Sequence, residues 1–233
     1  LTQTPTWNNF GSMFYDNMDE FAVDGAVPSF VNYVEGIYVG YKFYETAAAE
    51  GLIDYDATVQ YPFGYGLSYT TFTQEMGPIS ESNGTITFDV TVTNTGDVAG
   101  KDVIQVYYNP PYTNGGIEKA SANLIAFDKT DMLEPGASQT LTISFDVEDM
   151  ASYDTYGAGA YVLEAGDYAI SINSDAHTVI ASQTYNVPTT ITYGDTSPRS
   201  TDAVAASNQF AFAEGDVTYL SRANGFANYA EAT

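Results

Sequence analysis

The sequence has no cysteine, a single histidine (His177), a single tryptophan (Trp7), and only 6 lysines and arginines against 30 acidic residues. Without cysteine, neither a disulfide framework nor a thiolate metal site can form, and one histidine rules out a multi-histidine site. Neither a metal nor a cofactor is expected. The formal charge of −24 repels polyanions, so nucleic acid and anionic membrane surfaces, which need cationic contacts, are poor partners. No run approaches the ~20 apolar residues of a membrane-spanning helix, and no charged-then-apolar leader opens the chain. The chain starts at Leu1 and stops at "FANYAEAT" without a closing element, so both ends read as cut and a longer parent is expected.

What is present is apolar and aromatic: 44% hydrophobic residues, 20 tyrosines and 13 phenylalanines, enough for a proper core. From Thr85 the pattern alternates, with Ile86, Phe88, Val90 and Val92 on one side and Thr87, Asp89, Thr91 and Thr93 on the other, which predicts a half-buried strand. It ends at Asn94-Thr95-Gly96-Asp97, turn chemistry in which Gly96 is expected to supply a positive φ. Further strands are predicted at Val103–Tyr108, Leu124–Phe127, Thr140–Val147 (Leu141, Ile143, Phe145 and Val147 inward), Gly166–Ile172 and Val179–Val187. Turn signals separate them: Asn109-Pro110-Pro111, Glu134-Pro135-Gly136 and Ala165-Gly166-Asp167. The class is mainly β, an immunoglobulin-like sandwich.

The residues before and after follow other rhythms. In "PSFVNYVEGIYVGYKFYETAAAEG", Val34, Tyr38, Tyr41 and Tyr44 suit a helix from about Ile37 with Gly51 beyond its C-terminus, although Ile37, Val39, Tyr41 and Phe43 also fit a strand. "QYPFGYGLSYTTF" (Gln60–Phe72) holds five aromatics, one proline and two glycines but no acid, base or histidine. From Ile191 onwards Ser/Thr/Asp/Ala-rich text with scattered aromatics (Phe210, Phe212, Tyr219, Phe226, Tyr229) reads as a connector lying against something else.

Chemistry is thinly signalled. There is no Gly-x-Ser-x-Gly elbow, phosphate loop or His-Glu-x-x-His helix, and His177 in "NSDAHTV" reads as a solvated hairpin-turn residue. Glycoside hydrolysis needs two carboxylates ~5–10 Å apart, which sequence spacing cannot certify. Glu35, and the pair Asp54/Asp56, are the candidates such a search picks; the plainer readings are a capping or hydrogen-bonded structural carboxylate for Glu35 and a solvated loop for the pair. Trp7 in "TPTWNNFG" is the best sugar-stacking candidate, with packing the plainer role. Asn83-Gly84-Thr85 matches a glycosylation sequon.

Three stretches together resemble glycoside hydrolase family 3. "VEGIYVGYKFYET" followed by "YPFGYGLSYTTF" resembles the close of that family's α/β sandwich domain. "VTVTNTGDVAGKDVIQVYYNPP", "LEPGASQTLTISF" and "LEAGDYAISINSDA" are similar to its fibronectin type III-like domain. "AEGDVTYLSRANGFANY" resembles the strap that leads, in a subgroup of reversed domain order, into the catalytic barrel. The resemblance implies residues 1–72 as the C-terminal part of an α/β sandwich domain, 73–190 as the fibronectin type III-like sandwich, and 191–233 as a connector towards a missing (β/α) barrel. The family's nucleophile and acid/base belong to parts with no counterpart here, so no catalytic residue is carried over and Glu35 matches a motif position without an assigned role. Lys42 stands where many relatives have arginine, so a bidentate salt bridge is not implied there.

The resemblance implies the non-catalytic scaffold of a retaining exo-β-glycosidase that acts on terminal β-linked sugars of oligosaccharides and packs on its own barrel. The alternatives are a surface adhesion or carbohydrate-binding module without hydrolysis, and a plain spacer. Acidity favours solubility and suits a bacterial extracellular or cell-surface protein, with a cytoplasmic one as the alternative. Gln60–Phe72 is expected to weld two domains, Pro62 fixing the approach and Gly64 and Gly66 permitting turns.

Overall fold

The computed structural model describes residues 34–208 and 217–229. Two helices come first, α1 (Tyr41–Ala49) and α2 (Tyr55–Thr58). Strands follow: β1 (Phe72–Met76), β2 (Ser80–Ser82), β3 (Thr85–Asn94), β4 (Val103–Asn109), β5 (Asn123–Lys129), β6 (Ser138–Asp146), β7 (Ser152–Asp154), β8 (Ala160–Leu163), β9 (Gly166–Asn173), β10 (Val179–Val187) and β11 (Ile191–Tyr193). A 3₁₀ turn, Val147–Met150, links β6 to β7, and another, Arg222–Asn224, lies in the C-terminal segment.

The expected sandwich is present, and all its pairings are antiparallel. In one sheet β3 pairs with β6 along its length on one side, and with β2 and β1 in succession on the other. The opposing sheet runs β10-β9-β4-β5. A small third sheet, β11-β8-β7, involves residues 191–193 beyond the last predicted strand. The alternation of β3 works as read: Ile86, Phe88, Val90 and Val92 are buried against Ile104 and Val106 of β4 and Tyr168, Ile170 and Ile172 of β9. In β6, Ile143 and Phe145 are buried and Leu141 packs beside them, but Val147 has left the strand for the 3₁₀ turn. The short strands β2, β7 and β11 have three residues each, too few for a period-two signal to register.

Helix α1 starts four residues later than predicted. Gly36 and Gly40 hold φ of 55° and 61°, a left-handed backbone that helical residues do not adopt, so residues 34–37 form a separate turn closed by Tyr38 N–H to Glu35 O at 2.9 Å. The strand alternative fails because α1 buries Phe43, Tyr44 and Ala47 on one helical face while Ile37 and Val39 stay exposed. Its end is as expected: Gly51 has φ 71°, and Leu52 N–H reaches Ala47 O at 2.8 Å, a Schellman closure.

Asn94, fully buried at the end of β3, bonds through both ends of its amide. Its Nδ2 donates to Val98 O and Leu133 O, each at 2.8 Å, and its Oδ1 accepts from Thr70 Oγ1 at 2.7 Å and Gly96 N–H at 3.1 Å. Gly96 is needed here for space rather than for a positive φ, a correction to the sequence reading. A Cβ on it would lie 2.3 Å from Thr70 Oγ1 and 2.8 Å from Thr71 N. The chain entering the sandwich is thereby stitched to the first long turn.

Candidate functional site

A second core lies outside the sandwich. Tyr38, Phe43, Tyr44, Ala47, Tyr55 and Val59 pack with Ala120 from the β4–β5 loop and with Leu220 and Phe226 from the C-terminal segment. His177, Glu45, Gln105, Glu118 and Arg222 gather where this core meets the sandwich.

The Gln60–Phe72 stretch forms one side of that junction. Phe63 stacks on Tyr41 (centroids 4.6 Å apart, 15° between planes), Tyr41 meets Tyr107 edge-on at 6.1 Å, and Tyr41 Oη accepts from Leu124 N–H at 2.9 Å. Burial raises the Tyr41 pKa. Phe63 O accepts from Ala176 N–H at 2.8 Å. Gln105 Nε2 donates to Gly64 O at 3.0 Å and to Ser174 O at 2.9 Å, while its Oε1 accepts from Tyr107 Oη at 2.9 Å. Gly64 supplies a real turn, with φ 84°, but Gly66 has no positive φ and open space around it, so only one of the two expected hinges is used. Of the five rings only Phe72 packs on the sandwich core; Phe63 is stacked on Tyr41 yet 39% exposed, and Tyr61, Tyr65 and Tyr69 are exposed as well.

His177 is not merely solvated in its turn, which corrects the sequence reading. Its ring stacks on Tyr55 at 3.7 Å and 5°, and its Nδ1 lies 2.9 Å from Oε2 of Glu45, a buried carboxylate of α1. The turn is fixed by Asp175, whose Oδ1 accepts from His177 N–H at 2.9 Å and Thr178 N–H at 2.8 Å. Burial, and then the neighbouring Glu45, push the Tyr55 phenol well above its ordinary pKa. A histidine facing a buried carboxylate across a hydrogen bond is a joint between helix and sandwich.

The β4–β5 loop forms the other side. Thr46 Oγ1 accepts from Ser121 N–H at 3.0 Å and donates to Lys42 O at 2.6 Å. Buried Lys119 pairs with Glu164 and donates to Pro111 O at 2.7 Å. Glu118 Oε2 accepts from Tyr38 Oη and, at 3.1 Å, from Arg222 N–H, and its Oε1 accepts from Ser221 Oγ at 2.5 Å. Burial and then Glu118 raise the Tyr38 pKa far above the usual phenol value.

The residues singled out in the sequence fall mostly elsewhere. Trp7, Phe210 and Phe212 lie outside the described residues. Glu35 sits in the turn before α1, and its carboxylate takes part in no hydrogen bond or ion pair with another described residue. Asp54 is not loop filler: it caps α2, its Oδ1 accepting from Ala57 N–H at 3.3 Å, with Asp56 in the exposed first turn. Lys42 has no ion pair among the described residues, and burial lowers its pKa. Glu45, Gln105 and Glu118, which make the joint, carried no pattern of their own; only the unusual density of aromatics around them pointed there.

An antiparallel sandwich whose β4 and β9–β10 turn are clasped by a preceding aromatic segment defines the class: a fibronectin type III-like domain, and residues 102–176 match the Fibronectin type III-like domain family. Beta-glucosidase A of Butyrivibrio fibrisolvens is 41% identical over 157 residues, covering 60% of this chain and 18% of that protein. The Beta-glucosidase of Ruminococcus albus is 41% identical over 147 residues, covering 61% and 14%. The solved structure of beta-glucosidase 3B from Thermotoga neapolitana in complex with glucose superposes with a TM-score of 0.60 at 35% identity, over 72% of this chain and 22% of that one. The chain belongs to glycoside hydrolase family 3. It spans less than a fifth of the length of these two curated relatives, at 18% and 14%.

Proposed function

We propose that this chain is the non-catalytic scaffold of a retaining, β-glucosidase-like exo-glycosidase that removes terminal β-linked sugars from oligosaccharides and works outside the cell or at its surface. In this reading residues 1–72 close an α/β sandwich domain, 73–190 form the fibronectin type III-like domain and 191–233 run towards a (β/α) barrel on which the piece packs. One observation carries it: the buried or half-buried carboxylates of the junction are committed to holding elements together. Glu45 faces His177, Asp175 holds a turn, and Glu118 binds Tyr38, Ser221 and Arg222. Carboxylates so engaged serve as struts, whereas an acid and nucleophile pair must face a bound sugar from both sides. The similarity to β-glucosidases supplies the parent activity.

The chain alone should release no nitrophenol from nitrophenyl β-glucosides, whereas the full-length parent should do so. Turnover by the chain that disappears in Glu35→Gln would overturn the scaffold reading and make Glu35 the acid. The exposure of Tyr61, Tyr65 and Tyr69 favours, as a second reading, a module that binds oligosaccharide without cleaving it. That reading requires retention of the chain on an immobilised β-glucan and loss of retention in Tyr61→Ala/Tyr65→Ala.

A further inference from the structure

The C-terminal segment is held in a manner unlike a simple connector. Leu220 N–H donates to Val34 O at 2.8 Å. Ser221 and Arg222 engage Glu118 through a hydroxyl and a backbone N–H. The Arg222 side chain pairs with Glu50, donates from Nη1 to Lys119 O at 3.1 Å and lies over the Tyr112 ring at 4.0 Å. Phe226 enters a cage, edge-on to Tyr38 at 4.7 Å and to Phe43 at 5.2 Å, and is 4% exposed. It does so at φ 55°, directly after Gly225 at φ 64°. A left-handed phenylalanine is strained backbone that persists only when its surroundings hold it, and here the cage supplies that hold.

All these anchors come from seven consecutive residues, Leu220–Phe226, and each reads a different chemical feature: a backbone edge, a hydroxyl, a guanidinium and a ring. Covalent attachment to the sandwich then contributes only effective concentration. We infer that the groove between α1, residues 34–38 and the 111–121 loop is a peptide-recognition site specific for a Leu-Ser-Arg-x-x-x-Phe segment, able to take that segment from a separate chain. Glu118 sets specificity, since a carboxylate accepts from Ser Oγ and the Arg amide at once. Arg222 is recognised on three sides, which a lysine could not satisfy.

A fluorescein-labelled peptide of residues 217–229 tests this by anisotropy against the whole chain carrying Arg222→Ala/Phe226→Ala, which disables its own segment. Saturable binding is expected, about tenfold or more tighter than to the unmodified chain, whose groove is occupied. Adding Glu118→Gln should weaken it about tenfold, the scale of a lost charge-assisted hydrogen bond, with the circular dichroism of the sandwich unchanged. In the unmodified chain, millimolar unlabelled peptide should speed hydrogen exchange at the Leu220 and Phe226 amides. Absence of saturable binding, equal binding to the two chains, indifference to Glu118→Gln, or unchanged exchange would each overturn the proposal.

Discussion

Gly64 and Gln105 are in such close contact that a Cβ on the glycine would lie 2.0 Å from Gln105 Oε1. Gln105 cannot retreat without cost. Its amide already bonds Gly64 O and Ser174 O through the nitrogen and Tyr107 Oη through the oxygen. With φ at 84°, Gly64→Ala meets both backbone strain and a clash, and should destabilise the protein by about 2–4 kcal/mol. Gln105→Gly in the same chain removes the clash but not the strain and should recover part of the loss. Urea denaturation of the single and double variants measures both.

Phe63→Ala removes a stacked ring from Tyr41 without opening the sandwich core. The expected cost is about 1–2 kcal/mol, concentrated on the helical side of the joint. Hydrogen exchange should quicken in α1 while the amides of β3 and β9 keep their protection. Uniform loss of protection in both parts would mean that the two cores unfold as one.

His177→Ala leaves the buried Glu45 carboxylate without its partner. Because the histidine is 41% exposed, solvent can compensate in part, and about 1–2 kcal/mol of destabilisation is expected. Adding Glu45→Gln removes the stranded charge and should restore part of that stability. The thermal midpoints of the two singles and the double form a cycle, and additive losses would show that the pair is not coupled.

Alkaline pH should weaken the fold through its buried phenols. Burial, with Glu164 adding to it, pushes Tyr168 up to about 12, from an ordinary value of 10.0. Below pH 10 both folded and unfolded chains hold this proton and stability is flat. Between about 10 and 12 the unfolded chain releases it while the folded one keeps it, so stability falls as pH rises. Tyr38, Tyr55 and Tyr107 are displaced in the same direction by burial. Denaturation midpoints measured from pH 8 to 12 should decline only in the upper part of that range, and phenolate absorbance at equilibrium should rise together with unfolding.

The long strands were legible because each spends one face on the core: the β3 alternation of Ile86, Phe88, Val90 and Val92 maps directly onto buried positions. Asn83-Gly84 was read as a sequon, yet both residues have positive φ (54° and 83°) and turn the chain between β2 and β3. That dipeptide is among the strongest hairpin signals, and its neighbour Ser80–Ser82 was too short to draw attention to it. The joint was less readable for a different reason. His177 and Glu45 are separated by 132 residues, and nothing local tells a turn histidine that a helix will place a carboxylate beside it. Gly96 shows a related limit: its turn was visible, but its need for space depends on Thr70, brought in from another segment.

The long β4–β5 loop, residues 110–122, has a mechanical consequence. Thr46 holds it at Ser121, Arg222 and Ser221 hold it at Lys119 and Glu118, and Lys119 anchors it to Glu164. Tension applied between the helical flank and the C-terminal segment is therefore shared between this loop and the direct contacts of Leu220, Arg222 and Phe226 with Val34, Glu50, Tyr38 and Phe43, none of which runs through the paired sheets. Pulled from those two sides, the molecule should part at these side-chain and single-backbone contacts before any sheet opens, leaving the sandwich whole as the rigid body about which its flanks separate.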